Sequence, residues 1–173
     1  MLLILDIDGV LTDGKKYYDS TGKAVLKTFN DRDFTAIKKF KAAGWDVVFL
    51  SGDANINKAV AKNRNIPFYC NRVGGEMVNK VNFLEKLCKK YKTHPKFVVY
   101  VGDDVFDIDL LKAVGFPFCP ANADPDVQAI ANNLEAKSGE CVVAALYEIL
   151  NAEGHVRSVS VKEIETVDRN EKF

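Results

Sequence analysis

Five short apolar runs punctuate the chain: residues 2–5 (LLIL), 46–50 (DVVFL), 66–69 (IPFY), 97–101 (FVVYV) and 116–119 (FPFC). Runs of this length with little polar alternation predict strands buried on both faces. Between them the apolar residues change period. Phe34, Ile37 and Phe40 recur at helical spacing, as do Met77, Val81, Leu84 and Cys88, and later Val142, Leu146 and Ile149. Strands alternating with helices predict an α/β fold, a Rossmann-like parallel sheet with helices on both faces. One interval breaks the rhythm. Residues 15–29 (KKYYDSTGKAVLKTF) place β-formers on both sides of D-S-T-G and predict a β-hairpin inserted between the first strand and the first helix. No segment repeats. The resulting division is one domain over 1–153 and a polar, charged tail over 154–173, read as a short final element or as disorder, with disorder or partner-dependent order favoured.

Composition narrows the class. Lys plus Arg is 24 and Asp plus Glu is 24, so the net charge is zero and no basic excess points to nucleic acid or to a membrane surface. No apolar run approaches the roughly 20 residues that span a bilayer, and residues 1–5 lack the basic start of a signal peptide. The four cysteines have neither metal-site nor redox-pair spacing; Cys70, Cys119 and Cys141 read as core thiols, and a cytoplasmic location is expected.

In an open parallel sheet, ligands bind beyond the carboxyl ends of the strands, and acids collect there. The first run leads into Asp6 and Asp8, whose i, i+2 spacing sends both side chains to the same face of an extended chain. The run at 46–50 leads into Ser51 and Gly52, and the run at 97–101 into Asp103, Asp104 and Asp107. Lys80 stands near the start of the helix expected at about 77–91. Carboxylates packed together repel and raise one another's pKa unless a cation intervenes. A hard divalent ion takes oxygen ligands of this kind, and Ser51, Lys80 and backbone N–H groups beside it would form an anion site suited to phosphate. One carboxylate can then attack phosphorus while a second moves protons. Plainer readings hold elsewhere: Asp13 is a turn residue, His94 and His155 are surface residues, and Trp45 is packing.

D-I-D-G-V-L-T-D-G resembles the first motif of the haloacid dehalogenase superfamily of phosphohydrolases. L-S-G resembles the second, Lys80 the third and V-G-D-D-V-F-D the fourth, in order across residues 2–107. The resemblance implies Asp6 as nucleophile and metal ligand, Asp8 as general acid/base and a ligand through its backbone carbonyl, and Asp103 as a further ligand. It implies Ser51, Gly52 and Lys80 around the phosphoryl oxygens, and Asp104 and Asp107 as supports that hold metal waters, orient Lys80 or cap the next helix. Mg²⁺ is the expected cofactor, though Mn²⁺ accepts the same donors. The 27 residues between Gly52 and Lys80, like the short first gap, leave no room for a cap domain.

Within the superfamily, G-V-L-T-D-G, K-K-Y-Y-D-S-T-G, F-N-D-R-D-F-T-A-I, N-K at 79–80 and Y-V-G-D-D resemble the capless branch of 3-deoxy-D-manno-octulosonate 8-phosphate (Kdo 8-phosphate) phosphatases. That branch implies a phosphorylated sugar-acid substrate, a homotetramer assembled through the 15–29 hairpin, and Arg32 and Asp33 near the substrate. Two departures bear on specificity. Asp53 stands where relatives usually carry Arg after the second motif, and Ala144 and Ala145 stand where many carry Arg and Glu before the last helix, with Lys137 the nearest replacement cation. A nonulosonate 9-phosphate phosphatase, and a non-catalytic oligomerisation module, therefore remain alternative readings.

Overall fold

The computed structural model describes residues 1–171. Strand β1 (Leu2–Leu5) is followed by a hairpin of β2 (Tyr17–Tyr18) and β3 (Ala24–Leu26), helix α1 (Asp31–Ala42), strand β4 (Asp46–Ser51), helix α2 (Asn55–Asn63) and strand β5 (Phe68–Cys70). A second small hairpin, β6 (Arg72–Val73) with β7 (Glu76–Met77), leads through a 3₁₀ turn at Lys80–Phe83 into α3 (Leu84–Lys90). Then come β8 (Val98–Val101), α4 (Ile108–Ala113), β9 (Phe116–Cys119), the one-turn α5 (Pro125–Gln128), β10 (Asn132–Asn133), α6 (Val142–Ala152) and α7 (Val161–Asp168). Six strands form one parallel sheet in the order β10-β9-β8-β1-β4-β5.

The alternation of β1 divides the core. Leu3 and Leu5 pack with Phe34, Ile37 and Phe40 of α1 and with Val143 and Leu146 of α6. Leu2 and Ile4 face the other way, onto Leu84 and Leu87 of α3 and Leu110 and Leu111 of α4. Both faces are covered, which is why the central strands β1 and β8 carry no polar positions. Between β1 and Lys80 the described elements outside the sheet are the helices α1 and α2 and the two small hairpins, so no cap domain is inserted there.

Three expectations change. The apolar series from Met77 to Cys88 is not one helix. Gly74 and Gly75, both at positive φ (61° and 92°), turn a hairpin that places Met77 in β7. The helical segment starts only where the Asn79 side chain accepts the Val81 N–H at 3.1 Å. Cys88 and Cys119 are buried, but Cys70 and Cys141 are only half-buried. The third concerns the 154–173 tail, where disorder or partner-dependent order is favoured over a short final element; residues 172–173 lie outside the described residues, and 154–171 are ordered. They carry helix α7, started by a Ser160–Glu163 capping box. Asp168 pairs with Lys38 of α1, and Glu171 with Arg64 at 3.0 Å, so charge as well as burial seats this polar segment. No helix among the described residues is long and apolar enough to cross a membrane.

Candidate active site

The carboxyl end of β1 is shaped by a tight turn. The Asp6 N–H continues the sheet ladder to the Val101 carbonyl (3.1 Å), and the Ile7 carbonyl then accepts the N–H groups of Val10, Leu11 and Thr12. Gly9 (φ +86°) permits the turn, and a Cβ there would stand 1.9 Å from Asp103 Oδ2. The loop of β1 and the loop after β8 therefore press together, bringing Asp6 and Asp103 side by side.

Lys80 lies between Asp6 and Asp107. Its Nζ is 2.6 Å from Asp6 Oδ2 and 2.6 Å from Asp107 Oδ1, and 3.3 Å from the Tyr100 hydroxyl. Asp107 is fully engaged: Oδ1 also accepts from Tyr100 Oη (2.6 Å), and Oδ2 accepts the N–H groups of Asp103 and Asp104 (2.9 and 3.1 Å). Burial pushes the Asp6 carboxyl up to about 6, with the Lys80 ammonium opposing and Asp107 reinforcing. Burial alone would lower Lys80, but Asp6 and Asp107 outweigh it and hold the ammonium above its ordinary value.

Carboxylate oxygens of Asp6, Asp103 and Asp107 lie within 4.8 Å of one another. Asp103 Oδ1 is buried without a hydrogen-bond partner. Burial, then the charges of Asp6 and Asp107, push the Asp103 carboxyl up to about 8. A divalent cation is the partner that such a group lacks, so the donor set fits a hard metal ion. Each Asp107 oxygen already accepts two donors, whereas each Asp6 oxygen accepts one, from Ile7 N–H or Lys80, and Asp103 Oδ1 accepts none, so Asp6 and Asp103 are the carboxylates better able to meet it.

The neighbouring Asp8 carboxylate is held by a second lysine. Lys27 Nζ lies 2.7 and 2.9 Å from the two Asp8 oxygens, 2.9 Å from Asp53 Oδ2 and 2.9 Å from Asn57 Oδ1. Asn57 Nδ2 donates to Asp8 Oδ2 and to Ser51 Oγ, each at 3.2 Å. Asp8, Ser51, Gly52, Lys80 and Asp104 open onto one cavity of about 620 Å³, whose further walls include Lys16, Arg72, Met77 and Phe106.

The sequence and fold were compared with known proteins. A haloacid dehalogenase-like hydrolase model matches residues 53–146. The 3-deoxy-D-manno-octulosonate 8-phosphate phosphatase of Haemophilus influenzae is 31% identical over 163 residues, covering 88% of this chain and 83% of that one. This chain belongs to the haloacid dehalogenase-like hydrolase family. The Escherichia coli K12 phosphatase of the same name is 34% identical over 125 residues, 72% of this chain, and the match spans only 64% of the relative. The cobalt-bound structure of the Haemophilus influenzae deoxy-D-mannose-octulosonate 8-phosphate phosphatase superposes with a TM-score of 0.79 at 30% identity, covering 88% of both chains.

Two residues anticipated near the substrate of this hydrolase lie away from the cavity. Asp33 is fully buried, and its Oδ1 caps α6 by accepting the Val143 and Ala144 N–H groups at 2.8 and 3.0 Å. Arg32 is exposed and lines a different cavity, of about 490 Å³, beside Glu135, Cys141 and Ala144. Conversely, Lys27 and Asn57 carry no motif signal, and Tyr100 stands in the Y-V-G-D-D motif without a role assigned to it. All three are buried, and Lys27 and Asn57 meet their partners only across the fold. The single hint was Lys27 itself, a cation on a hairpin arm of apolar residues.

Proposed function

We propose that this hydrolase is a Mg²⁺-dependent phosphomonoesterase that acts on a phosphorylated sugar acid, with Kdo 8-phosphate the first substrate to test. One observation carries the reading: the buried Lys80 ammonium sits 2.6 Å from Asp6 Oδ2 on the wall of an open cavity that also presents Asp8 and Ser51. A nucleophile, a proton carrier and an anion-binding cation thus share one edge of the sheet. Residues 1–153 are taken as the catalytic unit of a cytoplasmic enzyme.

In this reading Asp6 attacks phosphorus, the bond from phosphorus to the sugar oxygen breaks, and Asp8 gives its proton to that oxygen. A water then attacks phosphorus and passes a proton to Asp8. The bond to Asp6 breaks, inorganic phosphate leaves and the Asp6 carboxylate returns. Ser51, the Gly52 amide and Lys80 hold the phosphoryl oxygens. Asp107 orients Lys80, and Asp104 opens the 3₁₀ turn at Val105–Asp107 that leads into α4. Asp6, Asp103 and the Asp8 backbone carbonyl would hold Mg²⁺, which supplies charge neutralisation for the phosphoryl group when bound. The cobalt in the Haemophilus influenzae structure supports a divalent ion here.

Lys16 and Arg72 on the cavity wall support an acidic sugar. Ala144, where many relatives in the branch carry an arginine, keeps a nonulosonate 9-phosphate as the second reading. A homotetramer is proposed through the β2–β3 hairpin, whose Tyr17 and Tyr18 are 58% and 61% exposed and whose Val25 and Leu26 are also exposed. An isolated two-stranded ribbon is marginal in water. Light scattering tests this, and a monomer would refute it.

Phosphate release from Kdo 8-phosphate, a nonulosonate 9-phosphate and hexose phosphates tests the activity, with an EDTA control. Metal-dependent release from one sugar-acid phosphate is the expected result. No release from any ester would refute the reading and favour the non-catalytic module.

A further inference from the structure

The phosphatase reading names Asp8 as the proton carrier but leaves open what aims it. We propose that Lys27, braced by Asn57, is the residue that positions the Asp8 carboxylate; the inference rests on that reading.

The Lys27 side chain is wholly buried, whereas that of Asp8 is 22% exposed. One side of the carboxylate is thus gripped and the other faces the cavity. The grip is two-pronged, since Nζ reaches both Asp8 oxygens at 2.7 and 2.9 Å. One Nζ shared by both oxygens lies near the line of the Cβ–Cγ bond and fixes where the carboxylate sits, while the Asn57 Nδ2 donor on Oδ2, off that line, fixes the turn of its plane. Asn57, also fully buried, ties the frame together. Its Oδ1 receives Lys27, and its Nδ2 bridges Asp8 Oδ2 and Ser51 Oγ at 3.2 Å each. Asp8 and the phosphate-side hydroxyl therefore share one strut. Asp53 Oδ2 balances the cluster by receiving both Lys27 and Lys16 at 2.9 Å.

Burying an ammonium is costly unless it is paired and its donors are used. Lys27 meets that condition only through residues from three separate elements: the β1 loop, the β4 loop and α2. It is supplied by the end of the β2–β3 hairpin, so the hairpin reaches into the site as well as presenting its apolar face outward. A lysine serving only to pin the hairpin would need neither the second Asp8 oxygen nor the link to Ser51.

The test compares the wild-type enzyme with Lys27→Met and Lys27→Arg, with Mg²⁺, on the preferred sugar phosphate and on p-nitrophenyl phosphate. Nitrophenolate needs no proton to leave, so phosphorylation of Asp6 should stay fast, whereas hydrolysis of the intermediate needs Asp8 as base. For Lys27→Met the expected result on the aryl ester is a burst of one nitrophenolate per site, followed by turnover lowered about 100-fold. On the sugar phosphate kcat should fall by about 100-fold with KM changed less than about threefold, and Lys27→Arg should recover part of the loss. A melting curve checks the fold. If Lys27→Met does not fold, Lys27→Gln, which keeps a donor, is measured the same way. Wild-type kcat in the variant, or equal slowing of burst and steady state with a raised KM, would overturn the proposal. A wild-type enzyme inert toward both esters is a separate result, and it would refute the phosphatase reading itself.

Discussion

Two buried lysines stand at the same edge of the sheet, each between two aspartates, and they are not alike. The Lys80 cage is closed. Lys80, Asp6 and Asp107 have side chains only 4%, 9% and 0% exposed. The Lys27 cage is half open, with Lys27 at 0% but Asp8 and Asp53 at 22% and 25%. In the closed cage desolvation governs, and the Asp6 carboxyl is pushed up to about 6 despite its lysine. In the open cage burial also opposes ionisation, but bonds from Lys27 and Lys16 overcome it and hold the Asp53 carboxyl well below the usual range. The contrast matches the two tasks proposed for Asp6 and Asp8. A nucleophile and its anion-binding cation need fixed positions away from bulk water. A proton carrier needs one face in contact with it.

Mutations can break that contrast. The largest effect is expected for Asp6→Asn, which removes the proposed nucleophile; phosphate release should fall at least about 1,000-fold, and retention of activity would place the chemistry elsewhere. Lys80→Met should come next, in stability. It strands Asp6 and Asp107 as like charges without water, and urea unfolding should show a loss of about 3–5 kcal/mol. Lys27→Met should cost less, about 1–2 kcal/mol, because water reaches Asp8 and Asp53 and Lys16 remains beside them. Equal losses for the two lysines would show that the cages do not differ in solvation.

Asp33 sharpens the comparison by showing a buried carboxylate with no salt-bridge partner among the described residues. Its Oδ2 is buried and unpaired, and burial pushes the carboxyl from 3.8 up to about 6, against the N–H groups of Ala144 and Val143. A folded pKa above the unfolded one means that the native state binds the proton more tightly. The stability so contributed is present below about pH 4 and is lost as pH rises through about 6. Asp33→Asn removes this dependence while keeping a capping oxygen. From about pH 4 to 7 the stability difference should shift in favour of the variant by about 2–3 kcal/mol in urea titrations. A difference independent of pH would refute it.

The strands were legible in the chain because each apolar run has a buried neighbour on both faces, so Leu2–Leu5 needed no polar alternation to interpret. Asp6, Ser51 and Asp103 were legible because strand ends converge in any parallel sheet, and Lys80 because it matches the third motif of the family. The helix expected at Met77 was not, because hydrophobic spacing overrode the Gly74-Gly75 turn signal. Asp33 was misplaced for a different reason. The resemblance places Arg32 and Asp33 together near the substrate, but neighbours on a helix point about 100° apart, so Asp33 turns inward to α6 while Arg32 faces a different cavity.

By itself, then, the sequence determined a parallel sheet, its two covered faces, and the acids and lysine at its carboxyl edge, because these follow from period and local order. Only the tertiary structure decided which lysine holds which aspartate. Lys27 is 19 residues from Asp8, 26 from Asp53 and 30 from Asn57. Pairings at such separations are set by how the hairpin and α2 pack over β1, and no local pattern encodes them.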